Sequence, residues 1–458
     1  MSAAATPSKK ARTETGVRAT KGADEPHEPI KYHNGFGGYI STEALPKALP
    51  DLGNTPQQCP YGLYAEQISG TAFTKAKHAN LRTWWYRCLP SAAHQRYHKL
   101  DSKKYLMCEQ PTENQIEQIR WMPLPMPSTS KNFIEGMVMY CGSGDPTMKA
   151  GIRIYLYACN ADMVDCSFTS SDGDLLIIPE HGTLDIMTEC GRMELPSGFI
   201  GVIPRGIRFQ VKVPAQGGAR GYICEAYDSH FELPPLGVIG ANGNANLRDF
   251  EVPAAAFERR ECKWTCFQLF NNEMFSMEQD HSPFDVVAWH GNYYPWRYDL
   301  AKFCAINTVS YDHLDPSIFC VVTAQTGEAG VACCDLAIFP PRWMVAEKTF
   351  RPPYYHKNCM SEFMGNVRGT YEAKEKGFLP GGASLHSHMA AHGPEAEVFE
   401  KASTCQLGPV PPKHDSLAFM FESYYTFKLS KWAAANLQDP DYMKCWGGLK
   451  CHFDPDRR

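Results

Sequence analysis

The chain has 458 residues, of which 43% are hydrophobic, 12% aromatic and 21% charged. These are ordinary values for a globular protein, and the length suits two or three domains with a large buried core. The formal net charge of -5 offers no field for a polyanion, which argues against a nucleic-acid partner.

The first residues lack the apolar stretch of a signal peptide. Nowhere is there a run of about 18 apolar residues, so no membrane span is expected. The 18 cysteines fall well below the density of a disulfide scaffold. We therefore expect a soluble, cytoplasmic protein with reduced thiols.

Residues 1–31 are poor in hydrophobic side chains and mix lysine with glutamate, so we predict a disordered tail. From residue 32 to 302 the pattern changes to short apolar runs between glycine- and proline-rich turns. Strands at such hairpin-like spacing are typical of a β-sandwich or jelly roll. The strands are predicted at 151–158, half-buried because apolar and polar residues alternate there, and at 174–179, 182–189, 190–195, 201–204 and 207–213.

In this part, glycine-containing turns, short strands and proline-containing turns follow one another in an order that resembles that of a cupin barrel. Leucine, isoleucine and proline occupy most positions where a cupin carries metal ligands, so we expect a metal-free cupin-like domain over 32–302. A second β-rich domain is predicted over 303–458, with strands near 317–324 and 336–341 and one helix near 430–437. The predicted fold class is thus mainly β, a two-part cupin-related sandwich or jelly roll with few helices.

The candidate site lies in the second part: His356, Glu362 and His392, in a segment rich in glycine, proline and tyrosine. Two imidazoles and a carboxylate can hold one face of a divalent first-row metal such as Fe(II) and leave the other face open. An offset of six residues does not fit one helical face, but an even offset along a strand places two side chains on the same side. A loop return could then bring His392 alongside.

Residues alone leave two alternatives open. His386 and His388 form a His-x-His pair, the usual opening of a cupin metal motif, and would face the same way on a strand. Alternatively, these histidines are scattered and only satisfy hydrogen bonds. The corresponding alternative functions are a Zn or Mn cupin-type isomerase and a metal-free binding or storage protein.

Seven strings, spread in order between residues 59 and 382, carry a family resemblance. They are CPYGLYAEQISGTAF at 59–73, SDGD at 171–174, HFELP at 230–234, GANG at 240–243, VAWHGNY at 287–293, DHLDPSIF at 312–319 and FLPGG at 378–382. Together with FRPPYYHKNCMSEFMG at 350–365, they resemble the homogentisate 1,2-dioxygenase family over nearly all of residues 32–455.

The resemblance implies Fe(II) bound by His356, Glu362 and His392, in a homohexamer built as two stacked trimers. His313 matches the family's catalytic base and His386 a histidine that supports the ligands. Tyr371 matches a substrate-contacting tyrosine, and His392 is also expected to contact substrate. His388 departs from the family pattern, so no role is carried over to it.

The implied reaction opens the ring of homogentisate with O2 to give maleylacetoacetate. His313 would take the proton of a ring hydroxyl, since an imidazole pKa near 6.5 suits that task at neutral pH. Lys374 could pair with the acetate group of the substrate; the alternative is a solvated loop lysine. No nucleic acid and no membrane are expected as partners.

Overall fold

The structure is a computed structural model that describes residues 29–457, except 236–239, 241, 372 and 375. The predicted tail lies outside the described residues as far as residue 28. Within them, the chain forms 27 strands and three short α-helices.

The first 21 strands and the first helix precede residue 300. They are β1 (Tyr32–Asn34), β2 (Ile40–Glu43), β3 (Tyr64–Ser69), β4 (Arg82–Arg87), β5 (His98–Lys99), β6 (Pro111–Asn114), β7 (Ile119–Trp121), α1 (Phe133–Gly136), β8 (Met137–Asp145), β9 (Ala150–Cys159), β10 (Cys166–Ser170), β11 (Asp174–His181), β12 (Thr183–Thr188), β13 (Gly191–Pro196), β14 (Phe199–Ile203), β15 (Phe209–Lys212), β16 (Ala219–Ala226), β17 (Phe250–Pro253), β18 (Glu261–Phe270), β19 (Glu273–His281), β20 (Val286–Gly291) and β21 (Trp296–Asp299).

The remaining elements are β22 (Cys320–Gln325), β23 (Ala332–Phe339), β24 (Ser361–Arg368), β25 (Ala383–His386), α2 (Ala396–Thr404), β26 (Leu417–Ser423), β27 (Lys428–Ser430) and α3 (Lys431–Ala435). The strands form four sheets of ten, seven, four and six strands. Their orders are β1-β17-β21-β14-β11-β16-β9-β8-β27-β6, β13-β12-β15-β10-β18-β19-β5, β2-β20-β4-β3 and β22-β23-β26-β24-β25-β7.

The mainly β class with few helices is confirmed, and each predicted strand falls on or overlaps an observed one. The prediction for 151–158 is right in position and wrong in burial. This strand, β9, lies between β16 and β8 inside the ten-stranded sheet and is buried on both faces. Even its charged residue Arg153 is only 2% exposed, because its guanidinium donates to the Glu109 carbonyl and the Gln110 side chain.

The ten-stranded and six-stranded sheets pack against each other through one continuous core. At their contact the Tyr222 hydroxyl, on β16, donates to the carbonyls of Asn366 and Gly382, and its ring packs edge-on against Phe419. The ten-stranded sheet therefore supports the six-stranded sheet, and this close packing holds the strands of the six-stranded sheet and their side chains in place.

The ten-stranded and six-stranded sheets exchange strands across the predicted boundary at residues 302 and 303. β7 comes from the first part of the chain and completes the six-stranded sheet, whereas β27 comes from the second part and joins the ten-stranded sheet. The division into 32–302 and 303–458 stays a prediction. Among the described residues, no helix combines the length and the apolar character needed to cross a bilayer.

Candidate metal centre

The structure brings His356, Glu362 and His392 together near the start of β24, an inner strand of the six-stranded sheet. One ligand atom from each lies within 4.8 Å of the other two. The Glu362 Oε2 atom is 2.9 Å from His392 Nε2, and Oε1 is 3.4 Å from His356 Nε2. The Glu362 and His392 side chains are 6% and 7% exposed, but that of His356 is 26% exposed, so the group is open on the His356 side.

Glu362 is held within the six-stranded sheet. It lies on β24, between β25 and β26, where it pairs with His386 on one side and Glu422 on the other. Residues directly opposite each other on neighbouring strands project to the same face. The row continues through Asp335 to Thr323, so one line of polar side chains crosses five strands.

His356 and His392 are positioned by a loop contact, not by the strand that carries Glu362. Each backbone N–H donates to the other residue's carbonyl, at 2.9 and 3.0 Å, which makes a single antiparallel bridge. Directly opposed residues in such a bridge share a face, so both imidazoles project the same way. The ring of Tyr355 packs where a Cβ on Gly393 would lie, at 2.4 Å, so only glycine fits beside His392.

The tautomers of both histidines suit metal binding. The Nδ1 atom of His356 lies 2.8 Å from the Tyr354 carbonyl, and that of His392 lies 2.9 Å from the Ala390 carbonyl. A carbonyl only accepts, so each Nδ1 carries a hydrogen, and the Nε2 atom of a neutral ring then directs its lone pair toward Glu362. Two such lone pairs facing a carboxylate repel unless a cation or a proton lies between them, and the donor set fits a divalent first-row metal.

The electrostatics of the group follow from this arrangement. Burial would raise the pKa of Glu362, but hydrogen bonds from protonated His356 and His392, together with the nearby His386, outweigh burial and hold the pKa well below its usual range. The hydrogen bond to Glu362 in turn raises the pKa of His356. The site thus keeps a carboxylate charged in a buried place, as a metal ligand requires.

His386 supports this group from behind. Its ring stacks on His392 at 4.0 Å between centroids, and its Nδ1 is 3.7 Å from Glu362 Oε2. Its Nε2 lies 2.9 Å from the Tyr442 hydroxyl and 3.1 Å from Lys374 Nζ. Both partners can donate, so Nε2 accepts and the ring hydrogen sits on Nδ1, facing Glu362.

Lys374 is 3% exposed, so the alternative of a solvated loop lysine is wrong. Its Nζ lies over the ring of Tyr442 at 4.3 Å and over that of Trp446 at 5.6 Å. Burial, chiefly, lowers the pKa of Lys374 to about 7. Lys374 does not line the cavity beside the metal ligands; it contacts His386 instead.

A cavity with a volume of about 320 Å³ lies beside the metal ligands. It is lined by His356 and Glu362 and, from the other segments, by His313, Asn358 and Glu422 among others. The Nδ1 atom of His313 lies 2.7 Å from the Leu314 carbonyl, so Nδ1 carries the hydrogen and Nε2 is the basic atom. Its ring packs edge-on against Tyr354 at 5.6 Å, next to His356.

Tyr371 is not brought to this cavity. It lies 8% exposed on a neighbouring cavity, and its ring contacts Phe339 at 5.2 Å. Phe339 and Arg342 line both cavities and separate the two.

The His386–His388 pair does not form a common face. β25 ends at His386, and His388 lies beyond the strand and is exposed. The structural premise of this alternative is therefore wrong.

Sequence reasoning missed three side chains of the site: Asn358, Glu422 and Tyr442. Asn358 Nδ2 donates to Glu362 Oε1 at 3.1 Å and to Glu422 Oε1 at 2.5 Å. Burial, foremost, raises the pKa of Glu422 to about 7, and the charge of Glu362 adds to this. Asn358 lies in the same string as two ligands and could have been found there, but Glu422 and Tyr442 carry no motif.

Both parts of the chain match one family of known proteins. The family model of the homogentisate 1,2-dioxygenase N-terminal domain matches residues 31–300, and that of the C-terminal domain matches residues 301–453. A Dictyostelium discoideum homogentisate 1,2-dioxygenase is 51% identical over 92% of this chain and 97% of its own length. A Drosophila melanogaster one is 50% identical over 92% and 98%.

Among solved structures, a variant of Bacillus subtilis oxalate decarboxylase is similar with 11% identity and a TM-score of 0.29. The similarity covers 70% of this chain and 81% of that one. The sequence matches to homogentisate 1,2-dioxygenases, by contrast, span nearly the whole chain. The chain belongs to the homogentisate 1,2-dioxygenase family.

Proposed function

We propose that this chain is an Fe(II)-dependent dioxygenase that opens the ring of homogentisate with O2 and releases maleylacetoacetate, a step in tyrosine and phenylalanine catabolism. Family membership supports the substrate. The observation that carries the proposal is the convergence of His356, Glu362 and His392 beside a cavity, whose wall His356 and Glu362 share with His313. A two-histidine, one-carboxylate set with an open face is typical of non-haem iron oxygenases.

His356, Glu362 and His392 would hold the iron, two of them through Nε2 atoms whose lone pairs are already aimed by backbone carbonyls. Bound there, Fe(II) supplies open coordination positions and redox chemistry for substrate and dioxygen. His392 also contacts substrate in this proposal. The exposed side of His356 gives the direction from which substrate enters.

His313 is the proposed catalytic base. With Nδ1 engaged by the Leu314 carbonyl, its Nε2 is free to take the proton of a ring hydroxyl. Removal of that proton makes the ring a better electron donor, and such proton transfer contributes about 10²–10⁴-fold to the rate. This requires no side-chain partner, because the Leu314 backbone carbonyl fixes the tautomer.

His386 and Lys374 are proposed to act through the ligands. Lys374 and the Tyr442 hydroxyl donate to the Nε2 atom of His386, which leaves the ring hydrogen on Nδ1, toward Glu362. A substrate contact of Tyr371 is also proposed; because Tyr371 lies in the neighbouring cavity, this contact requires Phe339, which separates the two cavities, to move aside. A Tyr371→Phe variant with an unchanged KM and kcat would remove Tyr371 from the proposal.

The test uses protein loaded with Fe(II) under anaerobic conditions. On addition of homogentisate in air-saturated buffer, one O2 should disappear for each ring opened, with the ring-opened product detected by mass spectrometry. Protein loaded with Zn(II) and the Glu362→Ala variant serve as controls and should consume no O2. Isomerisation without O2 uptake, or homogentisate binding without turnover, would instead support the isomerase or the storage protein.

We further propose a cytoplasmic homohexamer of two trimers. All 18 cysteines lie in the described residues and are free thiols, as suits a reducing compartment. The hexamer is supported by the family resemblance alone. Sedimentation equilibrium would decide it, with six times the 51.3 kDa chain mass expected and a monomer or dimer as the contrary result.

A further inference from the structure

The cavity beside the metal ligands contains a carboxyl group to which the proposed function gives no task. Glu422 lies on β26, directly opposite Glu362, and it lines the same cavity as His313. It is not one of the three residues whose ligand atoms converge. Its place in the fold is therefore beside the metal centre, on the wall that substrate would meet.

The orientation of Glu422 is fixed through Asn358. The Asn358 Oδ1 atom accepts from the Met360 backbone N–H at 3.1 Å, which assigns the amide so that Nδ2 faces the carboxylates. Its two hydrogens go to Glu362 Oε1 and to Glu422 Oε1. In the described part of the chain, only the Oε1 atom of Glu422 accepts a hydrogen bond, so Oε2 is left for another donor.

The substrate class brings such a donor. Homogentisate has two ring hydroxyls in para positions, and His313 is assigned to only one of them. A hydroxyl that leaves water for the cavity without an acceptor costs binding free energy, so the second hydroxyl needs a partner. Of the other cavity carboxylates, Glu362 is engaged by the histidines. Asp315 accepts from the Tyr354 hydroxyl and, unlike Glu422, does not lie on the strand directly opposite Glu362.

We infer that Glu422 accepts a hydrogen bond from the second ring hydroxyl and so determines specificity for a 1,4-dihydroxylated ring. This inference rests on the proposed function. A site built around such a hydrogen bond rejects analogues that lack the hydroxyl much more strongly than a purely apolar pocket does. Asn358 is then a positioning residue that aligns Glu422 with Glu362.

The test is anaerobic calorimetric binding to the iron-loaded protein. Three probes are used: homogentisate, 2-hydroxyphenylacetate and 3-hydroxyphenylacetate, the last two of which each lack one ring hydroxyl. In Glu422→Met, which removes the acceptor at similar volume, we expect homogentisate and one monohydroxy probe to bind at least tenfold more weakly. The other probe, which lacks the hydroxyl that meets Glu422, should bind as it does to wild type.

Glu422→Gln keeps an amide oxygen and should retain part of the preference. It also serves as the test if Glu422→Met does not fold or load iron. Asp335→Asn is the matched control: Asp335 is the next carboxylate in the same row and does not line the cavity, so all three affinities should be unchanged.

An equal loss for all three probes would show a merely structural role and overturn the inference, as would unchanged affinities in both Glu422 variants. If wild-type protein does not bind homogentisate at all, the proposed function fails instead. The two failures are therefore distinguishable.

Discussion

The contact between Lys374 and His386 gives the sharpest quantitative prediction about the support of the metal centre. His386→Phe keeps a ring stacked on His392 but removes the acceptor at Nε2. Two buried donors, Lys374 Nζ at 3.1 Å and the Tyr442 hydroxyl at 2.9 Å, then lose their partner. Each buried unsatisfied donor costs about 1–3 kcal/mol, so the free energy of unfolding should fall by about 2–6 kcal/mol.

Lys374→Met should cost much less, because Tyr442 still donates to His386 and a buried amine is replaced by an apolar side chain. In the double variant only the Tyr442 hydroxyl lacks an acceptor. The double variant should therefore be about 1–3 kcal/mol more stable than the sum of the single changes predicts.

The assay is urea unfolding of the metal-free protein at pH 8, with all four proteins compared in one cycle. His388→Phe is the control, since His388 is exposed, and it should change stability by less than about 0.5 kcal/mol. Single-variant effects that add to within about 0.5 kcal/mol would show that Lys374 and His386 are not energetically coupled, and would refute the support role.

The remaining predictions concern the metal, the base and a buried carboxyl. Replacement of any proposed ligand by alanine should abolish iron binding in metal analysis and ring cleavage, with unchanged circular dichroism; the ligands are His356, Glu362 and His392. His313→Ala should keep stoichiometric iron but lose about 10²–10⁴-fold in kcat, and loss of the iron would make His313 a ligand. Burial raises the pKa of Glu225 from 4.5 to about 7. The folded state therefore binds this proton more tightly than the unfolded chain, and stability should fall as pH rises from about 4.5 to 7, by up to about 3 kcal/mol. When the free energy of unfolding in urea is plotted against pH, Glu225→Gln should remove this part of the decrease. An unchanged pH dependence would contradict the raised pKa of Glu225.

Strand positions were predictable because glycine and proline punctuate them, but burial was not. The alternation in β9 indicated a half-buried strand, yet β9 lies in a sheet covered on both faces, with Arg153 satisfied inside. The contacts that bury it come from residues distant in the chain. The helix α2 was missed because only Ala396 and Val398 are buried in it, which leaves little periodic signal.

At the site, resemblance was a better guide than spacing. The six-residue offset suggested one strand for His356 and Glu362, but His356 precedes β24 and pairs with His392 across a loop bridge. Likewise, nothing near Lys374 in the sequence indicates its burial, since its aromatic partners Tyr442 and Trp446 come from the C-terminal segment. Contacts between segments that are distant in the chain leave no local pattern in the amino-acid sequence.

The central claim is that three side chains hold ferrous iron on one face only. An anaerobic crystal structure of the iron-loaded protein with homogentisate tests it most directly. We expect His356 Nε2, His392 Nε2 and the Glu362 carboxylate as the only protein ligands, with the substrate on the cavity side next to His313. Iron bound elsewhere, or enclosed by further protein ligands that leave no position for substrate, would contradict the account.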